Sequence, residues 1–277
     1  MDCFFTFVSA TNLALIVLSK NQINFISSLQ RKAIRAKNNL FVVEGIKMVE
    51  ELIVSSIKIN NIFATSAWVD ANQAVVSSIG SQLILVSDIE LQRISSLSTP
   101  NEVLAVCEIK HNEFSFLNCK NKITLVLDNV QIPGNLGTII RIADWFGVQN
   151  IVCSVDTVDV YNPKVIQATM GSFMRVNVFY KTLDALLKEA HLSGISIYGA
   201  ALKGNNIYSA TNLDKGIIVL GNESKGISEE VLKLCNTQIS IPHFSIDTIN
   251  GPDSLNVAVA AGIICSEFTR RNVKIDS

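Results

Sequence analysis

From Lys20 onward the apolar positions switch repeatedly between helical and strand-like spacing. In "NQINFISSLQRKAIRAK", Ile23, Ile26, Leu29 and Ile34 recur near helical spacing with the cations on other faces, which predicts one amphipathic helix. "LFVVEG" then reads as a short strand, "IKMVEELIVSS" as a helix and "INNIFAT" as a strand. A helix around "DANQAVVSSIG" and the strand "LILVS" follow. "DIELQRISSLS" is expected as a helix capped by Asp88, and "EVLAVCEIK" closes the unit as a strand.

The polar stretch near "HNEFSFLNCKNK" interrupts this rhythm, which then restarts with "ITLVLD" and a helix after Gly134. "NIVCS", "RVNVFY", "ISIYGAA", "GIIVLGNE" and "TQISIPHF" are further strands. "NPKVIQATMGSF", "TLDALLKEAHLSG", "SEEVLKLC" and "SLNVAVAAGIICSEFTRR" are the intervening and final helices. Strands that are apolar throughout, alternating with helices, predict an α/β fold whose parallel sheet is covered on both faces. The expected division is an N-terminal extension over 1–18, a smaller α/β domain over 19–109, a linker over 110–121 and a larger α/β domain over 122–277.

Composition changes this picture little. A chain of 277 residues with net charge −1 has no global preference for nucleic acid. Its cations are unevenly spread, however: Lys20, Arg31, Lys32, Arg35, Lys37 and Lys47 crowd one early stretch against Glu44 alone. The six cysteines and three histidines are dispersed without metal-ligand spacing, so no metal site is expected. Isolated thiols in apolar runs suit a reducing cytoplasm. "MDCFFTFVSATNLALIVL" is apolar, but its early charge is Asp2 and its length and polar residues make a poor membrane span. It reads either as a targeting segment or as an extension ahead of a protein that begins near "LSKNQINFISSLQRK".

The common nucleotide fingerprints fail. "GNESKGIS" and "GAALKGNN" lack the Lys-Ser/Thr of a phosphate loop, and no G-x-G-x-x-G follows a strand. Three other loops remain, each after an apolar strand: "DNVQIPGNLG", "GNESKG" and "PHFSIDTINGPDSLN". Ligands of open parallel sheets bind beyond the carboxyl ends of strands, so three such loops suggest one composite site.

On a helical wheel Arg141 lies opposite Leu136, Ile139, Ile140, Ile142, Ala143 and Phe146. It shares its face with Gly134, Gly137, Thr138, Asp144 and Trp145, an arrangement that leaves room for a ligand or another chain over a glycine floor. The alternative is a surface arginine paired with Asp144 at i+3. In the last helix Ser254 is the expected N-cap, and Asn256 either serves a ligand or satisfies local backbone groups. The small apolar run behind them must be buried, and a subunit interface is one way to bury it.

Together these loops resemble the three signature motifs of the SpoU (TrmH-like) RNA 2′-O-ribose methyltransferases of the SPOUT superfamily. The first motif is met by Asn129, Pro133, Asn135, Gly137, Ile139, Arg141, Ala143, Phe146 and Gly147. Leu220 to Ile227 meet the second, and Ile241, Pro242 and Ser254 to Ala260 the third. "SLQRKAIRAKNNLFVVEG" is similar to the start of that family's L30e-like substrate-binding domain.

The resemblance implies a deep trefoil knot in the C-terminal domain, S-adenosylmethionine as cofactor, and a homodimer formed through that domain. It implies methyl transfer to a ribose 2′-hydroxyl of structured RNA, and the added N-terminal domain favours ribosomal over transfer RNA; the cysteine pattern leads to the expectation of a cytoplasmic protein. A transfer-RNA methyltransferase, or a non-catalytic RNA-binding or ribosome-assembly protein on the same fold, is the alternative. Asn135, Arg141, Glu223, Ser254 and Asn256 match the active-site polar positions. Leu220, Gly221, Asn222, Ile241, Pro242 and Leu255 match the cofactor positions. Arg31, Lys32, Arg35, Lys37, Glu44 and Gly45 are the corresponding RNA-binding expectations. Arg141 serves either as the base for the hydroxyl or as the group that orients the ribose–phosphate; a guanidinium is very hard to deprotonate, which favours orientation.

Overall fold

The computed structural model describes residues 17–116, 119, 121–211, 213–244 and 253–272. The chain divides into two compact units, one running to Lys110 and including Tyr161–Pro163, the other formed by His111–Val160 and Lys164 onward.

In the first unit the expected single N-terminal helix is two, α1 (Lys20–Ser28) and α2 (Lys32–Asn38). Ser19 and Gln22 form a capping box at the start of α1. The break after α1 is held by Arg35, whose Nη1 donates to the carbonyls of Leu29 (2.8 Å) and Gln30 (2.7 Å). The unit continues with β1 (Leu40–Glu44), α3 (Ile46–Ile53), β2 (Ile59–Ala64), α4 (Ser66–Ala71) and α5 (Gln73–Ile79). β3 (Leu83–Leu85), α6 (Asp88–Ile94) and β4 (Val103–Glu108) complete it.

Its sheet runs β1-β4-β2-β3, with β4 antiparallel to both neighbours and β3 parallel to β2. Leu18 is buried in its core, and its N–H donates to Glu90 Oε1 at 2.7 Å. The cap of α6 is Ser87, which forms a capping box with Glu90; the expected cap, Asp88, occupies the first helical position.

The second unit begins with β5 (Thr124–Leu127), α7 (Pro133–Trp145), β6 (Asn150–Cys153), α8 (Pro163–Thr169) and β7 (Asn177–Tyr180). It continues through α9 (Leu183–Leu192), β8 (Ile197–Asn206), β9 (Ile217–Leu220), α10 (Glu229–Leu232), β10 (Thr237–Ser240) and α11 (Val257–Asn272). The six strands are ordered β10-β8-β9-β5-β6-β7 and every pair is parallel. β5, β6 and β9 are buried along their whole length, as strands covered on both faces must be. The loops after β5, β9 and β10 therefore leave one edge of the sheet. α11 packs on α7, which brings the start of the last helix to the loop after β5.

Candidate functional site

The first two loops are stitched together by backbone and side chains. β5 and β9 are neighbours, and Asp128 N–H donates to the Leu220 carbonyl at 2.8 Å. Beyond β9 the chain closes on itself: Asn222 and Gly226 exchange two backbone hydrogen bonds, and Asn222 Oδ1 accepts from the Ser224 and Lys225 N–H groups. Gly221 cannot be replaced there, because a Cβ would lie 2.1 Å from Gly226 C and Ile227 N. Buried Asp128 fixes the far end of this loop, its Oδ2 accepting from both Ser228 N–H and Ser228 Oγ at 2.7 Å.

Glu223 reaches from this turn to the start of α7. Its Oε1 accepts from Ile132 N–H and Asn135 Nδ2, each at 3.0 Å. Its Oε2 accepts from Gln131 N–H and Asn222 Nδ2, each at 3.3 Å. Partial burial opposes the charge on Glu223, but the bonds from Asn135, Ile132 and Gln131 outweigh it and hold the carboxyl below the usual carboxylate range. A carboxylate with four donors on it is a helix-terminal anchor, not a free base.

The third loop joins through Asn256, whose Nδ2 donates to Asn135 Oδ1 at 3.0 Å. Asn256 Oδ1 accepts from the N–H groups of Ala258 (2.9 Å) and Val259 (3.3 Å). Asn256, not Ser254, therefore caps α11, and Ser254 is exposed. Asn135, Glu223 and Asn256 are thus one chain of side chains linking all three loops.

Arg141 stands apart from that chain. Gly134, Thr138, Arg141 and Trp145 form an exposed stripe along α7, with Trp145 85% exposed. Among the described residues Arg141 has no ion pair, and the alternative pairing with Asp144 does not form because Asp144 binds Arg175. The glycine floor is only half open. Nothing lies near Gly134, but a methyl group at Gly137 would stand 2.4 Å from Ala168 Cβ and 2.7 Å from the Val165 carbonyl. The space at Gly137 belongs to α8.

Of the other expected positions, Leu220 and Gly221 are buried, and Asn222, Ile241 and Pro242 are half-buried. Leu255 is 47% exposed despite being a large apolar side chain. Residues 245–252, between Pro242 and Ser254, lie outside the described residues.

In the first unit Arg31, Lys32 and Lys37 are exposed and Gly45, half-buried with φ 116°, precedes α3. Two of the side chains expected at an RNA surface turn inward. Arg35 is 2% exposed and spends its guanidinium on α1 carbonyls. Glu44 is 4% exposed; it accepts from Ser95 Oγ, and from Ser96 N–H at 2.9 Å. A charge pattern along the sequence does not reveal which of its members turns inward. Asp128, Gln131 and Arg175 were missed. The one signal for Asp128 was a carboxylate directly after the apolar run "LVL" of β5.

The family model for the SpoU rRNA Methylase family matches residues 122–266, just over half the chain. The chain belongs to the SpoU rRNA methylase family. A model of the MRM3-like substrate binding domain matches residues 20–105 of this SpoU-family chain. The chain is similar to the 23S rRNA (guanosine(2553)-2′-O)-methyltransferase RlmP of Bacillus subtilis, 30% identical over 85% of this chain and 91% of the relative. A solved TrmH-family structure from Porphyromonas gingivalis superposes with a TM-score of 0.80 at 35% identity, covering 92% of this chain and all of the neighbour. The AdoMet-bound rRNA methyltransferase of Sinorhizobium meliloti shares the fold at 24% identity, with a TM-score of 0.79 over 93% and 98% of the two chains.

Proposed function

We propose that this SpoU-family chain transfers a methyl group from S-adenosylmethionine to a ribose 2′-hydroxyl of structured RNA. The observation that carries this reading is the side-chain chain Glu223–Asn135–Asn256, which locks three loops at one edge of a parallel sheet. Preorganised loops in that position suit a reaction in which alignment of donor and acceptor does much of the work.

The residues present fit the cofactor. The turn at Gly221 folds tightly enough to offer main-chain groups at its surface, and Ile241 and exposed Leu255 offer apolar area for an adenosine. Leu220, Gly221, Asn222, Ile241, Pro242 and Leu255 would hold it. When bound, the cofactor supplies a methyl group on a sulfonium centre. Arg141 is proposed to orient the ribose–phosphate electrostatically, and exposed Ser254 and the remaining Asn256 N–H to face the acceptor hydroxyl. Glu223 and Asn135 position Asn256.

Ribosomal RNA is the proposed substrate ahead of transfer RNA, supported by the 23S rRNA activity in the name of the Bacillus subtilis relative and by the substrate-binding domain match. Arg31, Lys32, Lys37 and Gly45 are the proposed RNA contacts of the domain over 19–109, joined by 110–121 to the catalytic domain over 122–277. A cytoplasmic homodimer, with a trefoil knot in the catalytic domain, completes the proposal. Exposed Trp145 on α7 and Val259 on α11 are apolar surface suited to the subunit interface. Among the described residues no helix is long and apolar enough to cross a membrane.

The test is a map of 2′-O-methyl groups on total RNA from a gene-deletion strain and its parent. A ribosomal RNA site lost on deletion and regained on complementation supports the reading. An unchanged map in cells shown to express the protein would overturn it.

A further inference from the structure

Asp144 lies three residues beyond Arg141 on α7, so helical geometry puts the two side chains within pairing distance. The carboxylate is nevertheless turned to Arg175, whose Nε and Nη2 both approach Asp144 Oδ2 at 2.8 Å. Arg175 does not belong to α7. It follows the 3-10 turn Ser172–Met174, whose Arg175 N–H donates to the Ser172 carbonyl at 3.1 Å. That segment comes directly after α8, which is seated on α7 where Gly137 gives it room.

We propose that Arg175 is a positioning residue that guards Arg141: by engaging Asp144 it keeps a carboxylate one helical turn away from pairing with the RNA-facing guanidinium. The inference rests on the proposed role of Arg141. An arginine already paired with a neighbouring carboxylate must give up that pair before it binds a phosphate or ribose, and its field is largely cancelled meanwhile. The tertiary pair wins because two guanidinium nitrogens converge on Asp144, which is partly withdrawn from water with its side chain 23% exposed. An i,i+3 pair on an open helix surface is weaker and more strongly screened. Arg141 is left exposed, with no ion pair among the described residues.

The experiment compares wild type, Arg175→Ala, Asp144→Ala and the double variant in methyl transfer from labelled S-adenosylmethionine. Total RNA from the gene-deletion strain is the acceptor. Arg175→Ala is expected to lower kcat/KM for RNA by about threefold, the scale of a surface ion pair, while KM for S-adenosylmethionine stays unchanged. Asp144→Ala is expected to match wild type, and the double variant to recover wild-type kcat/KM. Recovery separates a guard from a mere structural pin, since the double variant lacks the pin altogether. Arg175→Gln, closer in shape, serves where the alanine variant melts below the assay temperature. A normal Arg175 variant, or a double variant as slow as the single, overturns the proposal. Absence of methyl transfer by wild type would instead overturn the proposed function.

Discussion

Asn256 donates to Asn135 at 3.0 Å while its carbonyl oxygen caps the helix it begins, so a single amide ties the last helix to the first signature loop. The direction of the bond is set from the far side. Glu223 accepts from Asn135 Nδ2, which leaves Asn135 Oδ1 facing Asn256.

Asn256→Asp tests that direction. The carboxylate still caps α11 but sets an acceptor against Asn135 Oδ1, and Asn135 cannot turn over without facing Glu223 with its oxygen. Loss of this partly buried bond is expected to cost about 1–3 kcal/mol. Thermal unfolding should show the loss, and methyl transfer should fall more than tenfold (~1.4 kcal/mol on the barrier). Asn256→Asp with normal melting and turnover would remove the proposed strut.

Glu223 yields a prediction about pH. Its carboxyl lies below the usual range, so it is fully ionised wherever the protein is assayed near neutrality. A depressed carboxyl stabilises the fold above its unfolded pKa, and that stabilisation fades as pH falls through the lower folded value. The profile of kcat/KM between about pH 5.5 and 7.5 should therefore carry no inflection from Glu223. Glu223→Gln should slow transfer without changing the shape of the profile. An inflection present in wild type and absent in Glu223→Gln would make Glu223 the base after all.

How far the sequence carried differs between the parts of the site. The parallel sheet was legible because strands such as "IIVL" are apolar at every position and "TLVL" at all but its first, which burial on both faces explains. The three loops were legible from their motifs and their places after strands. What each side chain does was less so. Asn, Asp and Glu near helix starts serve backbone groups as readily as ligands, and Glu223 serves two N–H groups before Pro133. The split of α1 from α2 escaped periodicity because Arg35, counted as a surface cation, is the buried group that stabilises the break. Local spacing cannot report that Asp144 finds Arg175, 31 residues away.

Gly137→Ala probes the seating of α8. The added methyl would stand 2.4 Å from Ala168 Cβ and 2.7 Å from a backbone carbonyl, so α7 and α8 must separate. Overpacking of this kind is expected to cost about 1–3 kcal/mol in chemical denaturation. Gly134→Ala, with nothing near its Cβ, should be neutral or slightly stabilising, as alanine is in a helix. Equal effects at the two positions would contradict the packing described.

Arg35 and Arg31 stand four residues apart and should behave oppositely. Arg35→Ala removes the donors to Leu29 and Gln30 and empties a buried volume, an expected loss of about 2–4 kcal/mol in stability. Arg31→Ala leaves an exposed surface and should melt like wild type. If Arg31 contacts RNA, its removal lowers the slope of log affinity against log salt by about one. Filter binding across a salt series checks this, and an unchanged slope removes Arg31 from the interface.

The end of α11 gives an acid-stability prediction. Buried Glu267 accepts from Arg270 and Arg271, and Arg271 also donates to the carbonyls of Ile207 and Tyr208 at 2.8 and 3.0 Å and to that of Ala210. The Arg270 hydrogen bond first, then Arg271, overcome burial and pull the Glu267 carboxyl from 4.5 to about 2. Because the folded value is the lower one, the stabilisation is complete above the unfolded pKa and is lost as pH falls from about 4.5 towards 2. Glu267→Gln removes the titrating group, so the midpoint of denaturant unfolding should be lower than wild type at pH 6. The gap should narrow steadily as pH drops through that window. A constant gap at every pH would show that Glu267 contributes by packing alone, with its charge irrelevant to how α11 holds the turn after β8.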